Sequence, residues 1–300
     1  MATPATFPVL SELGDILLAS FDDIFGRYPA IYTRYTQTIA ADRTPETIQP
    51  LMYFGELISN AIGGATTFQE PAEAYKSTVS VETSQRALGF QVHELAVKLD
   101  RSGRVRRAAE KLAVSANHTK ETIAAVPLNA AITTAHATRA VPLVSNSQPL
   151  FGGGTYDNRI DGDLSVAVFE SAMIQFANMV DERGLKINVK PAYLIHTPND
   201  RRVAKQLLGS DKEPFHAENQ MNVYRNVVEP IENPWLTDTD NAFLVSASGE
   251  NGLILAVWQD VRRRSWIDED TDTLKFKATF HGLTIAGGAD WRGLVGIIGA

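Results

Sequence analysis

One stretch limits what this chain can become: RSGRVRRAAEKLAVSANHTKETIAAV, from Arg101 to Val126. Val105, Ala109, Leu112, Ala116, Thr119, Ile123 and Val126 recur at alternating spacings of four and three, which puts all seven on one stripe of an α-helix. Arg106, Arg107, Glu110, Lys111, Asn117, Lys120 and Glu121 fall between them and form the expected wet face. Ser102 is placed to cap the start. Pro127 lacks a donor and crowds the carbonyl of Ile123, so the helix is expected to end or bend there. At 1.5 Å per residue the rod is about 35 Å long. A stripe this thin and rich in alanine suits close packing against a sheet better than burial on all sides.

Three hundred residues, 44% apolar and 21% charged, describe a globular chain with room for one large core or two lobes. A net charge of −7 rules out a general nucleic-acid footprint over the whole surface. With no cysteine there can be no disulfide, thiol nucleophile or cysteine-ligated zinc. The opening MATPATFPVLSELGDILLASFDD has no basic start and is interrupted by Glu12 and Asp15, which is not the pattern of a secretory signal. No apolar run approaches the roughly 18 residues of a membrane helix. The expected setting is a cytoplasm, or something assembled in one.

In chain order, Leu13, Ile16, Leu17, Phe21, Ile24 and Phe25 make residues 1–30 an amphipathic segment that precedes any core, so it is expected to lie on another surface. Tyr32–Ala40 reads as a strand. Leu51–Ile62 leads to Gly63 and Gly64. From Thr66 to Val81, Tyr75, Ser77, Val79 and Val81 alternate with polar residues after a turn at Gln69–Glu73. That makes a hairpin with little to bury, and such a hairpin is marginal alone in water. Pro142–Asn158, with glycines at 152–154, is loop-like; Asp163–Arg183 is a second amphipathic helix closed by Gly184. Ala192–Ile195 is a short buried strand, and Asn199 caps a helix running through Leu208. Leu253–Trp258 is the strongest buried-strand candidate, and Leu274, Phe276, Ala278 and Phe280 alternate as a half-buried one.

The chemistry points away from an enzyme. The glycine triplet lacks the ending of a phosphate loop. His93, His118, His136, His196, His216 and His281 are scattered and form no His-x-x-x-His pair. Asp268, Asp270 and Asp272 imitate a calcium loop, but Thr273 and Thr279 stand where its glycine and glutamate belong, so a solvated turn is expected. No residue is nominated as catalytic, cofactor-binding or metal-ligating, and no cofactor is expected. Two basic runs remain: Arg101, Arg104, Arg106 and Arg107 at the unfavourable positive end of the helix dipole, and Arg262–Arg264. Each is either a solvated face or a partner for carboxylates of a neighbouring chain.

The order of these segments resembles the major capsid proteins of tailed bacteriophages, the Hong Kong ninety-seven fold, and within them looks most like the Mu-type major head subunit. ETSQRALGFQVHELAVKLD, from Glu82, looks like the strand returning from the family's extended loop, and RVRRAAEKLAVSANHTKETIAAVPLNAA is similar to its spine helix with the following Leu128-Asn129. SQPLFGGGTYDN and DLSVAVFESAMIQFANMVDERGLKI resemble the loop and first helix of the axial domain, and PAYLIHTPNDRRVAKQLLGS the strand and helix after it. ENPWLTDTDNAFLVSA resembles the segment before the closing strands, and TDTLKFKATFHGLTIAGGADWRG the returning long strand. Gln148-Pro149-Leu150 departs from relatives that carry a histidine before the proline, so no role is carried to it.

The resemblance implies an α+β subunit: an N-terminal arm at 1–30; a peripheral domain at 31–134 with an extended loop at about 60–85 and a spine helix at about 102–126; an axial domain at 135–250; and strands at 251–300 returning to the peripheral domain, with the C-terminal end at the axial one. It implies self-assembly in hexamers and pentamers into an icosahedral head that encloses phage double-stranded DNA without sequence-specific binding. A portal protein is an implied partner, a scaffold or decoration protein a further one, and no membrane is involved. The implied place is the virion capsid, assembled in the host bacterial cytoplasm. A loop starting near residue 60 leaves no room for the long scaffolding segment of many members, which points to a separate scaffold or none. A related-fold nanocompartment shell and a soluble hydrolase stay open as alternatives.

Overall fold

The 26-residue helix Arg104–Asn129 lies between two hydrophobic cores and contributes to both. A computed structural model describes residues 10–42, 46–48, 77–79, 85–100, 103–137, 139–150, 153–181, 183–212 and 221–299. Among them, in order, are α1 (Leu10–Arg27), β1 (Gln37–Ala40), β2 (Glu46–Ile48), β3 (Ser77–Val79), β4 (Gln85–His93), α2 (Glu94–Leu99) and the long helix α3. Then come β5 (Gln148–Pro149), β6 (Thr155–Tyr156), β7 (Arg159–Asp161), α4 (Val166–Ala177), β8 (Tyr193–His196), α5 (Arg201–Gly209) and β9 (Glu229–Glu232). The last strands are β10 (Ala242–Val245), β11 (Ile254–Asp268), β12 (Thr273–Thr284) and β13 (Leu294–Ile298).

A four-stranded sheet has the order β1-β11-β12-β4, with β1 parallel to β11 and the other pairings antiparallel. One face of β12 carries Leu274, Phe276, Ala278 and Phe280, all buried, because α1 and α3 lie across that side. Leu13, Leu17 and Phe21 of α1 meet Ala109, Leu112 and Ala113 of α3 over Leu274 and Phe276. A five-stranded sheet has the order β7-β13-β10-β8-β9. Its centre, AFLV and LVGII, is buried at every position, as strands covered on both faces must be. Ile123 and Leu128 of α3 join that core together with Phe169, Phe176, Leu255 and Phe280.

Several expectations are corrected. The cap of α3 is Gly103, in the left-handed conformation at φ 65°, while Ser102 lies outside the described residues. The helix runs on through Pro127 to Asn129. Within the last turn the missing donor removes a single ladder bond, and the end is closed by Ala130 N donating to Val126 O at 2.9 Å. Arg106, Arg107 and Lys111 are exposed as expected, but Asn117, Lys120 and Glu121 are buried. The reason is α1, which does not lie on another surface: residues 10–27 fold back on α3 and the long strands of their own chain. An apolar face that finds an uncovered partner within its own subunit has no need of a neighbour.

Smaller corrections follow the same logic. The strand expected from Tyr32 begins at Gln37, after a 3₁₀ turn at Tyr32–Arg34. Ser77–Val79 is extended and pairs with Glu46–Ile48; the rest of the expected hairpin, with its Gln69–Glu73 turn, and Leu51–Ile62 lie outside the described residues. The second helix is shorter than Asp163–Arg183: Ser165 caps α4, and the chain after Ala177 turns around Asp181, whose Oδ1 accepts from Arg183 N and Leu185 N at 2.8 Å each. Asp200, not Asn199, stands at the start of α5.

Candidate assembly surfaces

Among the described residues, helices cover the four-stranded sheet on one face only, and the other face is cationic. Alternation puts Arg262, Arg264 and Trp266 of β11 on the side away from α3, beside Lys275, Lys277, Thr279 and His281 of β12. All of these but Lys275 line a shallow cleft of about 370 Å³ together with Gln85 and Gln259. Register sets Arg264 directly opposite Lys277 and Arg262 opposite Thr279. Neither Arg262, Arg264 nor Lys277 has an ion-pair partner among the described residues. Lys275 does: its Nζ lies 2.5 Å from Asp268, and this bond holds the Asp268 carboxyl below the usual carboxylate range.

The acidic run forms the turn at the tip of this hairpin, as its composition suggested. Asp268 closes β11, and Glu269, Asp270 and Asp272 are exposed beyond it. The middle arginine of the basic run behaves differently from its neighbours. Arg263 points to the helix side, where it meets Asp22 of α1 at 2.5 Å. At the start of α3, Arg106 pairs with Glu110 one turn on at 3.2 Å. The Asp100 carboxylate accepts from Val105 N at 3.0 Å, supplying the acid that this end of the helix dipole favours. Arg263 and Arg106 are thus paired within the chain; Arg101 lies outside the described residues.

Other surfaces are unfinished edges. Among the described residues, strand β4 pairs with β12 on one side only, and Leu88 on it is 58% exposed. The β2–β3 ladder is three residue pairs long and forms a sheet of its own. On the five-stranded side, Met221 and Val223 stand out at 78% and 68% exposure.

Four of the histidines serve local structure. His93 Nδ1 accepts from Leu95 N at the start of α2, and His118 sits edge-on to Tyr28 and Trp235. His196 Nδ1 lies 2.7 Å from the Thr197 carbonyl. His136 is buried and its Nδ1 accepts from Arg139 N at 3.2 Å; burial, and then the Arg139 guanidinium, lower its pKa to about 4. His216 is outside the described residues. Among the described residues no group of three His, Cys, Asp or Glu could hold a metal ion.

Buried polar side chains tie the two cores together, and sequence reasoning missed them. Glu121 accepts from Ile31 N at 2.6 Å and Tyr32 N at 3.2 Å, and burial raises its pKa against these two bonds. Lys120 reaches Asp260 at 2.5 Å, with the Phe25 ring 4.9 Å away. Asn129 donates to Trp235 O at 3.0 Å and accepts from Thr237 N at 2.9 Å, so the Leu128-Asn129 pair fastens the end of α3 to the second sheet's approach. Gln148, to which no role was carried, donates to Pro142 O at 2.8 Å and Leu143 O at 3.0 Å and holds its loop in shape.

A family model described as phage capsid protein matches residues 75–297, more than two thirds of the chain. The chain belongs to the phage capsid protein family. It is a structural protein, a building unit of a virion capsid. Solved structures share its architecture. The bacteriophage JBD30 capsid superposes with a TM-score of 0.57 at 13% identity, covering 72% of this chain and 94% of that one. The mature capsid of bacteriophage PhiM1 gives 0.55 at 10% identity, with 90% and 87% covered. A virus-like particle from Pyrococcus furiosus gives 0.53 at 12% identity, with 95% and 99% covered. At such identities the likeness establishes the fold, the α+β fold of tailed-phage capsid subunits. No curated protein sequence matches.

Proposed function

We infer that this capsid subunit is the major head protein, assembling through hexamers and pentamers into an icosahedral shell around phage double-stranded DNA. The observation that carries this reading is the family match itself, which runs from β3 to β13 and so spans both sheets. Residues 31–134 with the four-stranded sheet form the peripheral lobe, to which α1 belongs. Residues 135–250 with the five-stranded sheet form the axial one. Between residues 251 and 300 the long strands return to the first, and β13 ends in the second. The subunit encloses DNA without reading its sequence, takes a portal at one vertex, works with a scaffold or decoration protein or with none, and assembles in the host bacterial cytoplasm. Its role is architectural and involves no catalysis.

Negative-stain microscopy of the expressed protein tests this: closed shells are expected, and a small oligomer on size exclusion, as a soluble hydrolase would give, overturns it. Replacing residues 69–76 by a short Gly/Ser linker extends the test to the expected hairpin. The free subunit should keep its melting temperature and far-ultraviolet dichroism while closed shells disappear, because a two-stranded excursion contributes little to a fold unless a partner surface holds it. Truncated protein that still closes into shells would remove the hairpin from the assembly.

A further inference from the structure

The cationic face of the four-stranded sheet contains a local conflict. Arg264 and Lys277 are direct cross-strand neighbours, an arrangement in which like charges repel. Arg262 lies two residues along the same face of β11, and His281 further along β12. On β4 the same face carries Gln85, Ala87, Gly89 and Gln91, none of them acidic. The carboxylates Asp22 and Asp260 are engaged by Arg263 and Lys120. Asp268 is the nearest acid on this face, and Lys275 occupies it. Nothing described within the subunit neutralises the three cations.

The complementary charge is at the tip of the same hairpin, out of its own reach. Glu269, Asp270 and Asp272 are exposed and without an ion-pair partner among the described residues. The ladder ends at Asp268 opposite Thr273, four pairs from Arg264 opposite Lys277. At about 3.3 Å per residue that is about 13 Å of rigid strand, longer than the roughly 8 Å screening length at physiological salt. One hairpin thus carries an acidic end and a basic face that cannot meet each other. They can meet on two copies, in the head-to-tail sense that repeats around a closed assembly.

We propose that the Arg262–Arg264–Lys277 face receives the acidic turn, residues 269–272, of a second copy of this chain. The proposal rests on the shell-forming reading above and gives it a specific contact. Packaged DNA is the competing anion, but the subunit's charge of −7 makes its own copies an abundant source of carboxylates, and the acidic turn is opposite to the face in sign.

Three charge variants test it: the face reversed (Arg264→Glu with Lys277→Glu), the turn reversed (Glu269→Lys, Asp270→Lys and Asp272→Lys), and all five together. Each reversal alone should lower the yield of closed shells by about tenfold or more, since like charges brought together at a contact oppose association. The five-fold variant, with both signs exchanged, should restore shells to within about threefold of the parent by the same complementarity. The free subunit carrying Lys277→Glu alone should melt no lower than the parent, because it removes a repulsive cross-strand pair. Parental yield from the face-reversed protein overturns the contact. So does failure of the combined variant to recover shells. If face-reversed shells form normally but retain less DNA, the face belongs to the genome and not to a neighbour. Parent protein that forms no shells overturns the capsid reading, and this contact with it.

Discussion

His136 couples the fold to pH. It is buried as a neutral ring that accepts from Arg139 N, and protonation would delete that acceptor and set a second cation beside the Arg139 guanidinium. The unfolded chain takes up this proton near pH 6.5, the folded one only near pH 4. The unfolded state therefore binds more protons between these values, and stability is lost as pH falls through that window, by at most about 1.4 kcal/mol per pH unit crossed. His136→Gln keeps an acceptor and removes the titration, so its melting temperature should fall less between about pH 7 and 4.5 than the parent's. Equal losses in the two proteins would exclude His136 as the cause. Asn117, Lys120 and Glu121 show where single residues mislead. Their spacing puts them on the polar side of α3, correctly, but spacing does not disclose that α1 and the turn at Tyr32 will cover that side. Their partners, Phe25, Asp260, Ile31 and Tyr32, are about 90 or more residues away in sequence.

Elements were legible where one face alone decides them. The alternation in β12 is followed residue by residue, buried and half-buried in turn from Thr273 to Thr284. For α1 the pattern gave an amphipathic segment and its apolar face, not the helix, and assigned the wrong owner to it. Leu17 is fully buried between α3 and the long strands. Leu17→Ala should cost the free subunit about 2–5 kcal/mol, the range for emptying a well-packed leucine site. Denaturant melts under conditions that prevent assembly check this, and an unchanged midpoint would return α1 to the role of a detached arm. The spine offers the matching test. Ile123 is 3% exposed, in a cluster with Leu255 and Phe280. Ile123→Asp would bury an unpaired charge at a cost of several kcal/mol, and insoluble or unfolded protein is the expected result. Ordinary particles from this variant would show that the stripe faces no core.

At the scale of the whole molecule, the order of segments was enough to give the fold, because each segment has its own periodicity and their succession is specific. The pairing of β3 with β2 was not legible: a three-residue ladder between segments about 30 positions apart leaves no trace in either local pattern. The basic runs were half legible. Composition marked Arg262–Arg264 as one patch, but strand alternation splits it, sending Arg263 to Asp22 and leaving its neighbours on the open face. Exposed pairs are worth about 0–1 kcal/mol each and are screened by salt. Repeated over a shell they still shift assembly, so shell yield should fall from low salt to roughly 1 M, where the screening length is about 3 Å. A yield that holds or rises would make apolar contacts the main adhesive.

Strand β11 runs from the core shared with the five-stranded sheet into the core beneath α1, and its pairing with β12 slips twice between Val257 and Arg262. A skipped pairing bends a strand and loosens its ladder. Two well-packed blocks are therefore joined by α3 and by a long beam whose own compliance is concentrated in about five residues. Load applied to one block should turn it about this joint before it deforms either interior, so copies placed at unequal curvature can differ in the angle between blocks while each block keeps the same packing.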